Sequence, residues 1–409
     1  MNLAGVETLR GRTVLVTGGS GFIGCRLVER LIERHGARVR VLVRDVGRAS
    51  RVATFPVEIV RGSILDGGVV QRAAEGCDTI FHCAYGTAGT QSDRSRTNLD
   101  GTRRVLEAAL TVGARRVVDL STLMVYGETA PGDLDETAPR RAFGDPYADS
   151  KRLAERLAMR WARERRLPVV ILQPTAVYGP YGGVWTETPL RQLSTGRVPL
   201  IDHGRGIANA VYVDDLVAAM LLAATRDGVE GEAFLISGAE SEPWSDFYAR
   251  FEAMLDVDKG SRLHPMSIAE ARSLWRRHRW RLPSLAGVLG SHWRSDETFR
   301  RELMASREVV IARNLASQLP EGVQQFLKRR AKAYQERRRA RFDSAAVAPE
   351  SAAPTLPTHP PSPRMIAFFS ARTRVRIDKA RRLLGYEPEF SLDRGMALTA
   401  AWARWANVP

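Results

Sequence analysis

The chain has few cysteines, no long apolar run and a deficit of acidic residues, and each shortage narrows what it can be. Its three cysteines, Cys25, Cys77 and Cys83, are odd in number and lack metal-ligand spacing. A disulfide framework and a metal site are therefore not expected, whereas a reducing compartment is. No window approaches the about 20 apolar residues of a membrane-spanning helix. Met1 to Arg12 has no apolar signal core, so a cytoplasmic protein is expected. Lys plus Arg number 61 against 46 Asp plus Glu, giving a formal charge of +15. That surplus is local: residues 270–343 hold 18 basic and 8 acidic side chains. It says little about the N-terminal half, and nothing beside it resembles a nucleic-acid-binding module. The length of 409 residues favours two subdomains.

What is present is organised around Thr13 to Gly24, T-V-L-V-T-G-G-S-G-F-I-G. Thr13 to Thr17 is a β-branched apolar run of the kind that forms a buried parallel strand. It breaks into Gly18, Gly21 and Gly24. Phe22, Ile23, Leu27, Val28, Leu31 and Ile32 then recur at helical spacing. Strand, glycine turn and helix are the context of a phosphate-binding motif. Small residues admit a pyrophosphate to the backbone, and the helix start at Phe22 and Ile23 offers free N–H groups and positive dipole. A dinucleotide site is expected here.

A second strand, Arg38 to Val43, ends before Arg44 and Asp45. A carboxylate at this tip takes a ribose 2′-hydroxyl, and an arginine suits a 2′-phosphate. Arg44 comes first and Arg48 is near, which favours NADP over NAD, although Asp45 keeps NAD open. Strand Val57 to Val60 leads to Gly62, Ser63 and Ile64, an adenine-side loop. Helix Val69 to Glu75 precedes strand Thr79 to Cys83, whose end at Ala84 is expected under the cofactor. A helix over Thr97 to Ala109 is expected to begin at Asn98. Strand Val117 to Leu120 delivers Ser121 and Thr122 to the carboxyl edge, where ligands bind in open parallel sheets. After a turn-rich loop, Pro131 to Asp145, a helix from Pro146 to Arg165 puts Tyr147 and Lys151 on one face. Leu167 to Gln173 is a sixth strand. The alternation predicts an α/β, doubly wound parallel sheet.

These motifs, in order, resemble the extended short-chain dehydrogenase/reductases, specifically the NAD-dependent epimerase/dehydratase family. They are T-G-G-S-G-F-I-G, H-C-A at His82 to Ala84, N-L-D-G-T at Asn98 to Thr102 and S-T-L-M-V-Y-G at Ser121 to Gly127. Y-A-D-S-K at Tyr147 to Lys151, P-T-A-V-Y-G-P at Pro174 to Pro180 and V-Y-V-D-D at Val211 to Asp215 follow. The pattern covers about residues 10–240 and returns at Ala380 to Pro388. The resemblance implies a Rossmann domain over residues 1–180 and a smaller C-terminal substrate domain over 181–262, with strands returning to the core. It also implies a homodimer paired through the helices after Asn98 and Tyr147, and Pro174 and Asn98 beside the cofactor.

An unperturbed tyrosine has a pKa of about 10, too high for a base near neutrality. A neighbouring cation and the positive nicotinamide ring would together favour the phenolate and lower it. Lys151, one turn along from Tyr147, is expected to supply that charge and to bond the nicotinamide ribose. Thr122 is expected to hold the substrate oxygen, and Tyr147 to move the proton that accompanies hydride transfer. The family places its catalytic hydroxyl three residues before Val125, which selects Thr122 over Ser121. His82 and Cys83 are read as strand-end packing residues. Asn98 is read as a support for active-site backbone or a water, with a helix N-terminal role as its alternative.

Departures from the family bear on the reaction. The 4,6-dehydratases carry Asp-Glu directly after the threonine, and Leu123 and Met124 stand here, so dehydration is not expected. Sugar-nucleotide epimerases place an arginine shortly before V-Y-V-D-D to grip a diphosphate. Ile207 to Ala210 has none, leaving Arg191, Arg197 or Arg205 as substitutes. Ser63 replaces the first Asp of the adenine loop, and Gln173 replaces the Arg before Pro174.

The C-terminal half departs further. Ser267 and Glu270 read as a capping box opening a helix, at the start of a basic helical insertion over 263–343. Arg276 to Trp293 mixes arginine, Trp275, Trp280 and Trp293 around an apolar run. A helical lid is favoured there, with peripheral contact to an anionic membrane as the alternative. Glu321 to Phe342 reads as a basic helix. Residues 344–363 read as a Pro/Ala-rich linker, with six prolines from Pro349 to Pro363. A family-like tail over 364–409 folds back on the core. The expected function is an NAD(P)-dependent oxidoreductase or epimerase acting by hydride transfer on a secondary alcohol or ketone of a small-molecule substrate, a sugar that can be nucleotide-linked. Two alternatives stand beside it: an NADPH-dependent reductase of a non-sugar substrate, and a non-catalytic NAD(P)-binding scaffold that recruits a partner through the insertion.

Overall fold

A computed structural model describes residues 9–86, 89–128, 131–142, 144–255, 261–279 and 360–408. It separates into two compact units, Met1–Arg272 with Leu356–Pro409, and Ser273–Thr355. The first unit carries the site. Its earliest elements are β1 (Thr13–Thr17), α1 (Phe22–Glu33), β2 (Arg38–Val43), β3 (Val57–Arg61), α2 (Gly67–Ala74) and β4 (Thr79–His82). Next come α3 (Gln91–Val112), β5 (Arg116–Leu120), β6 (Gly132–Leu134), α4 (Pro146–Glu164), β7 (Val169–Pro174) and β8 (Ala176–Tyr178). The following elements are α5 (Thr188–Thr195), β9 (Val198–Ile201), β10 (Ile207–Ala208), β11 (Ala210–Tyr212) and α6 (Val213–Thr225). They continue with β12 (Ala233–Ile236), β13 (Glu242–Pro243), α7 (Trp244–Glu252), β14 (Leu263–Met266) and α8 (Ile268–Arg279). The return is α9 (Pro363–Ser370), β15 (Thr373–Val375) and α10 (Leu392–Trp405).

Seven strands form the central sheet in the order β12-β7-β5-β4-β1-β2-β3, each neighbouring pair parallel. Alternation along β1 explains why the sheet is covered on both faces. Val14 and Val16 enter one apolar cluster with Leu27, Val28 and Leu31 of α1, and Leu15 enters another with Val105 and Leu106 of α3. Helices on both faces of a parallel sheet are the doubly wound architecture that the alternation of elements predicts. The strand order reverses direction between β1 and β4, so a crevice opens at their carboxyl ends. A third cluster, beyond β8, packs Trp244, Phe247 and Phe251 of α7 on Tyr178, Leu190 and Trp402. Trp185 stacks on Trp244 and on Phe368 of α9, with centroids 5.2 and 5.8 Å apart.

Local chemistry moved several boundaries. α3 starts earlier than Asn98, because Thr90 and Asp93 form a reciprocal capping box that opens the helix at Gln91. Asn98 is therefore interior to α3 and has no N-terminal role. The loop Pro131 to Asp145 contains β6, which pairs in parallel with β15. β14 pairs with β9 inside the first unit, so the opening residues of the expected insertion lie there. The capping box of α8 forms as expected, Ser267 N donating to Glu270 Oε2 at 2.7 Å and Glu270 N to Ser267 Oγ at 3.2 Å. The expected lid or membrane-contact region beyond Arg279, the Glu321 to Phe342 helix and most of the Pro/Ala-rich linker lie outside the described residues. Among the described residues, no helix is long and apolar enough to cross a membrane.

Candidate active site

β1 ends at Gly18, which has φ +70°, a conformation that glycine adopts without strain. A Cβ on Gly18 would come 2.7 Å from Ala84 N, so the β1 turn and the end of β4 touch through backbone alone. Gly21 N–H donates to Gly18 O at 2.9 Å and closes the turn. Gly21 then caps α1 with no side-chain bond, and the first turn contains no acidic residue. The helix start at Phe22, Ile23 and Gly24 thus presents positive dipole with no side chain competing for it. That donor set fits the pyrophosphate of a dinucleotide. Ala84 N–H lies 3.4 Å from Thr17 Oγ1 at the same edge.

Arg44 is exposed just past β2. Asp45 accepts from Gly47 N at 3.0 Å and faces Arg48 at 4.0 Å, so its carboxylate is engaged within its own turn. Ser63 follows β3, and its hydroxyl accepts from Leu65 N at 3.2 Å. Ile64 lies against Gly101 of α3. Pro174 closes β7, opposite Ile236 of β12.

Thr122 stands two residues past the end of β5, buried, with Oγ1 accepting from Met124 N at 3.3 Å. Asp145 caps α4 by accepting from Ala148 N at 2.9 Å, which places Tyr147 in the first turn of the helix. The Tyr147 phenol lies beside Thr122. It is 38% exposed, yet the protein around it withdraws water and pushes its pKa up to about 12, with Tyr85 adding to the rise and Thr122 opposing it. Tyr85 meets the Tyr147 ring edge-on at 6.2 Å. Lys151 is buried, and its Nζ donates to Leu120 O at 2.7 Å. Burial lowers its pKa, against Asp119, Cys83 and Glu155, which favour the ammonium. In this arrangement the lysine charge faces Asp119, Cys83 and Glu155, and the expected lowering of Tyr147 by Lys151 together with the nicotinamide ring belongs to the cofactor-bound site. The structure brings Thr122 and Tyr147 together and sets Lys151 one turn deeper.

The neighbours of this trio bear on the other expectations. Ser121 Oγ donates to Glu155 Oε2 at 2.6 Å, which commits it away from Tyr147 and leaves Thr122 as the available hydroxyl. His82 is fixed between Thr17 Oγ1 at 2.8 Å and Thr102 Oγ1 at 3.1 Å. Burial, with Lys151 beside it, lowers its pKa to about 3, so it is neutral and structural. Burial raises the Cys83 thiol to about 12, which removes a thiolate role. Asn98 supports the active-site backbone: Oδ1 accepts from Gly86 N at 2.8 Å, and Nδ2 donates to Ser150 Oγ at 2.9 Å. Ser150 Oγ donates in turn to Tyr147 O at 2.8 Å.

Three residues of the site escaped the sequence reading. Glu155, 1% exposed, accepts from Ser121, Gln173 and Arg140. Asp119, buried on β5 with Oδ1 unpartnered, has its carboxyl raised to about 6 by burial. Arg140 reaches in from the loop ahead of α4. Only Glu155 carried a signal, since it follows Lys151 by four residues and so shares its face.

The expected departures also have places. Leu123 and Met124 open the helical turn Leu123–Tyr126. Ala208 is 1% exposed on β10. Asn209 donates to Thr373 O at 2.8 Å and accepts from Val375 N at 2.9 Å, locking β15 in place. Of the candidate arginines, Arg205 pairs with Asp202 at 2.6 Å and Arg191 lies 3.5 Å from Thr188 Oγ1, while Arg197 Nε is buried without a hydrogen bond.

Residues 14–237 match the model of the NAD dependent epimerase/dehydratase family. The chain is 32% identical over 233 residues to a 4-hydroxy-2-methyl-3-oxo-4-farnesyl-3,4-dihydroquinoline-1-oxide ketoreductase of Stigmatella aurantiaca, covering 56% of this chain and 69% of that protein. It is 33% identical over 247 residues to a dTDP-glucose 4,6-dehydratase of Streptomyces niveus, covering 55% and 72%. Its fold resembles an epimerase from Methanothermobacter thermautotrophicus, with a TM-score of 0.66 at 20% identity over 98% of this chain and 95% of the other. With the glycine turn, Thr122, Tyr147 and Lys151 at the carboxyl edge of a parallel sheet, the chain belongs to the NAD-dependent epimerase/dehydratase family of extended short-chain dehydrogenase/reductases, and is an enzyme of that NAD-dependent family.

Proposed function

We propose that the protein moves a hydride between a nicotinamide cofactor and a secondary alcohol or ketone, with Tyr147 exchanging the proton. The carrying observation is that Thr122 stands beside Tyr147 at the carboxyl edge of the sheet while Ser121 is held by Glu155. Thr122 would bind the substrate oxygen, and Tyr147 would give or take its proton. Gly18, Gly21, Phe22, Ile23 and Gly24 would hold the cofactor pyrophosphate, Ser63, Ile64 and Ala84 its adenine and central portions, and Asn98, Lys151 and Pro174 the nicotinamide end. The cofactor supplies the hydride acceptor or donor. Asp45 is engaged with Gly47 and Arg48, and Arg44 is exposed, which supports NADP over NAD.

The substrate reading favoured by the residues is a non-sugar carbonyl or hydroxyl compound. Leu123 and Met124 supply neither acid nor base for dehydration, and Ala208 has no charge with which to hold a diphosphate. A nucleotide sugar is the second reading. An open cleft of about 450 Å³, lined by Arg205, Arg372, Arg374 and Ser241, offers cations that could take its phosphates. A homodimer through α3 and α4 fits the exposed Leu110 and Leu153 on those helices.

Purified protein with NADPH or NADH, assayed against ketones, aldehydes and nucleotide sugars, tests the reading. Stoichiometric NADPH consumption with a non-sugar ketone supports it. Interconversion of sugars without net cofactor change points to epimerisation. Cofactor binding with no turnover of any compound points to a scaffold.

A further inference from the structure

The catalytic trio rests on a buried carboxylate whose counter-charge comes from a loop. Glu155 is 1% exposed and lies one turn beyond Lys151 on α4. A carboxylate so placed is held ionised by a partner cation and a full set of donors. Its donors are Ser121 Oγ at 2.6 Å, Gln173 Nε2 at 2.9 and 3.0 Å, and Arg140 Nε, which forms the ion pair. Gln173 is neutral and stands at the β7 position where the family pattern carries an arginine. The strand therefore brings no cation, and the loop does.

Arg140 is fastened for that task. Its guanidinium lies 5.5 Å from the Tyr126 ring, and the Tyr126 hydroxyl donates to Gln173 Oε1 at 2.8 Å. Arg141 N–H donates to Val125 O at 3.1 Å, tying the same loop to the turn that follows Thr122. The charged and titratable groups around Glu155 are Arg140 on the loop, Lys151 on its own helix, Asp119 on β5 and Tyr126 on the turn. Cys83 faces Lys151 from β4. With Arg140 gone, Lys151 is the remaining cation of this set. It would be drawn to Glu155 and away from Leu120 O, and Ser121, which precedes Thr122, would lose a fixed acceptor.

We infer that Arg140 is a positioning residue: its guanidinium neutralises Glu155, which keeps Lys151 on the Leu120 carbonyl and holds the Ser121–Thr122 strand end in place. The functional part rests on the oxidoreductase reading, and the charge-balance part does not. Losing a cation raises the pKa of every acid near it.

The test uses the full chain as R140Q, R140K and the double variant R140Q/Q173R, which moves the cation from loop to strand. In R140Q the buried Glu155 carboxylate keeps its neutral donors but loses its ion-pair partner, and an uncompensated buried charge costs stability wherever it is ionised, so the loss grows with pH. Relative to the unsubstituted protein, R140Q should lose several degrees more of Tm at about pH 8 than at about pH 5. R140K should recover part of the loss and R140Q/Q173R most of it. A loss equal at both pH values, or a double variant no better than R140Q, overturns the inference. If R140Q is insoluble, recovery of soluble protein in the double variant supports it, and failure to recover overturns it. This arm needs no substrate, so it stands apart from failure of the proposed reaction. With a substrate in hand, R140Q should lower kcat at least about tenfold and move the pH limb of kcat upward, with Q173R reversing both. An unchanged profile overturns the functional part.

Discussion

Around Lys151 the interior is joined by directed hydrogen bonds, whereas beneath α9 the space is filled by rings. The first region holds Asp119, Glu155, Gln173, His82 and Asn98, nearly all with named partners. The second stacks Trp185, Trp244, Phe368 and Phe369, with Trp244 Nε1 buried and without a hydrogen bond. Hydrogen bonds fix atoms to tenths of an ångström, which proton and hydride movement require. Ring packing fixes volume and tolerates exchange of shape. The molecule thus combines a hydrogen-bonded candidate site with an adaptable ring-packed region.

Substitutions at the two regions should separate these roles. The largest effect is expected at Tyr147→Phe, which keeps the ring and removes the proton. Turnover should fall about 10²–10⁴-fold while cofactor fluorescence titration stays unchanged. Full activity in this variant would show that the hydrogen-bonded region is not where the reaction occurs. Trp244→Ala should cost about 3–5 kcal/mol in denaturant unfolding and leave cofactor binding intact. Trp244→Phe should cost much less, since it also removes the unpartnered Nε1. An equal loss in both variants would mean that the ring cluster depends on precise shape after all.

A pH prediction sharpens the contrast. The His82 pKa is depressed to about 3 by burial. Its unfolded value is about 6.5, so the unfolded chain binds the extra proton between the two. The stability that neutral His82 contributes is present above about pH 6.5 and is lost as pH falls toward about 3. His82→Gln should flatten that acid limb in thermal scans, and an unchanged slope would contradict the neutral assignment. Asp119, raised to about 6, works in the opposite sense, its contribution declining as pH rises. The smallest effect is expected at Arg44→Ala, which should reduce any NADP preference about tenfold, or ~1.4 kcal/mol. Equal NADP affinity in both proteins would remove Arg44 from the cofactor site.

The placement of the candidate residues at the sheet's carboxyl edge was legible because it is local. The Gly18, Gly21 and Gly24 turn, the Thr122 position and the Tyr147–Lys151 spacing each follow from a few adjacent residues. Residues whose partners are distant in sequence were not legible. Glu155 meets Ser121 and Arg140 only after β5, the loop and α4 come together. β6 has three residues and no pattern of its own, since β15 completes it. Asn98 was misplaced at a helix start because the capping box at Thr90 and Asp93 lies in a polar run without helical periodicity. The Tyr147–Lys151 pair shows the same limit. Sequence spacing sets a shared helix face, but the Leu120 carbonyl decides where Nζ points.

The pairing of β6 with β15 also has a meaning in time. Residues 132–134 leave the ribosome well before their partners at 373–375, roughly 240 positions later. At about 5–20 residues per second, that delay is on the order of tens of seconds. The glycine turn and its strands can assemble early, while the loop that carries Arg140 toward Glu155 waits for a strand not yet made. A nascent chain would gain its cofactor cradle first and its finished reaction edge last.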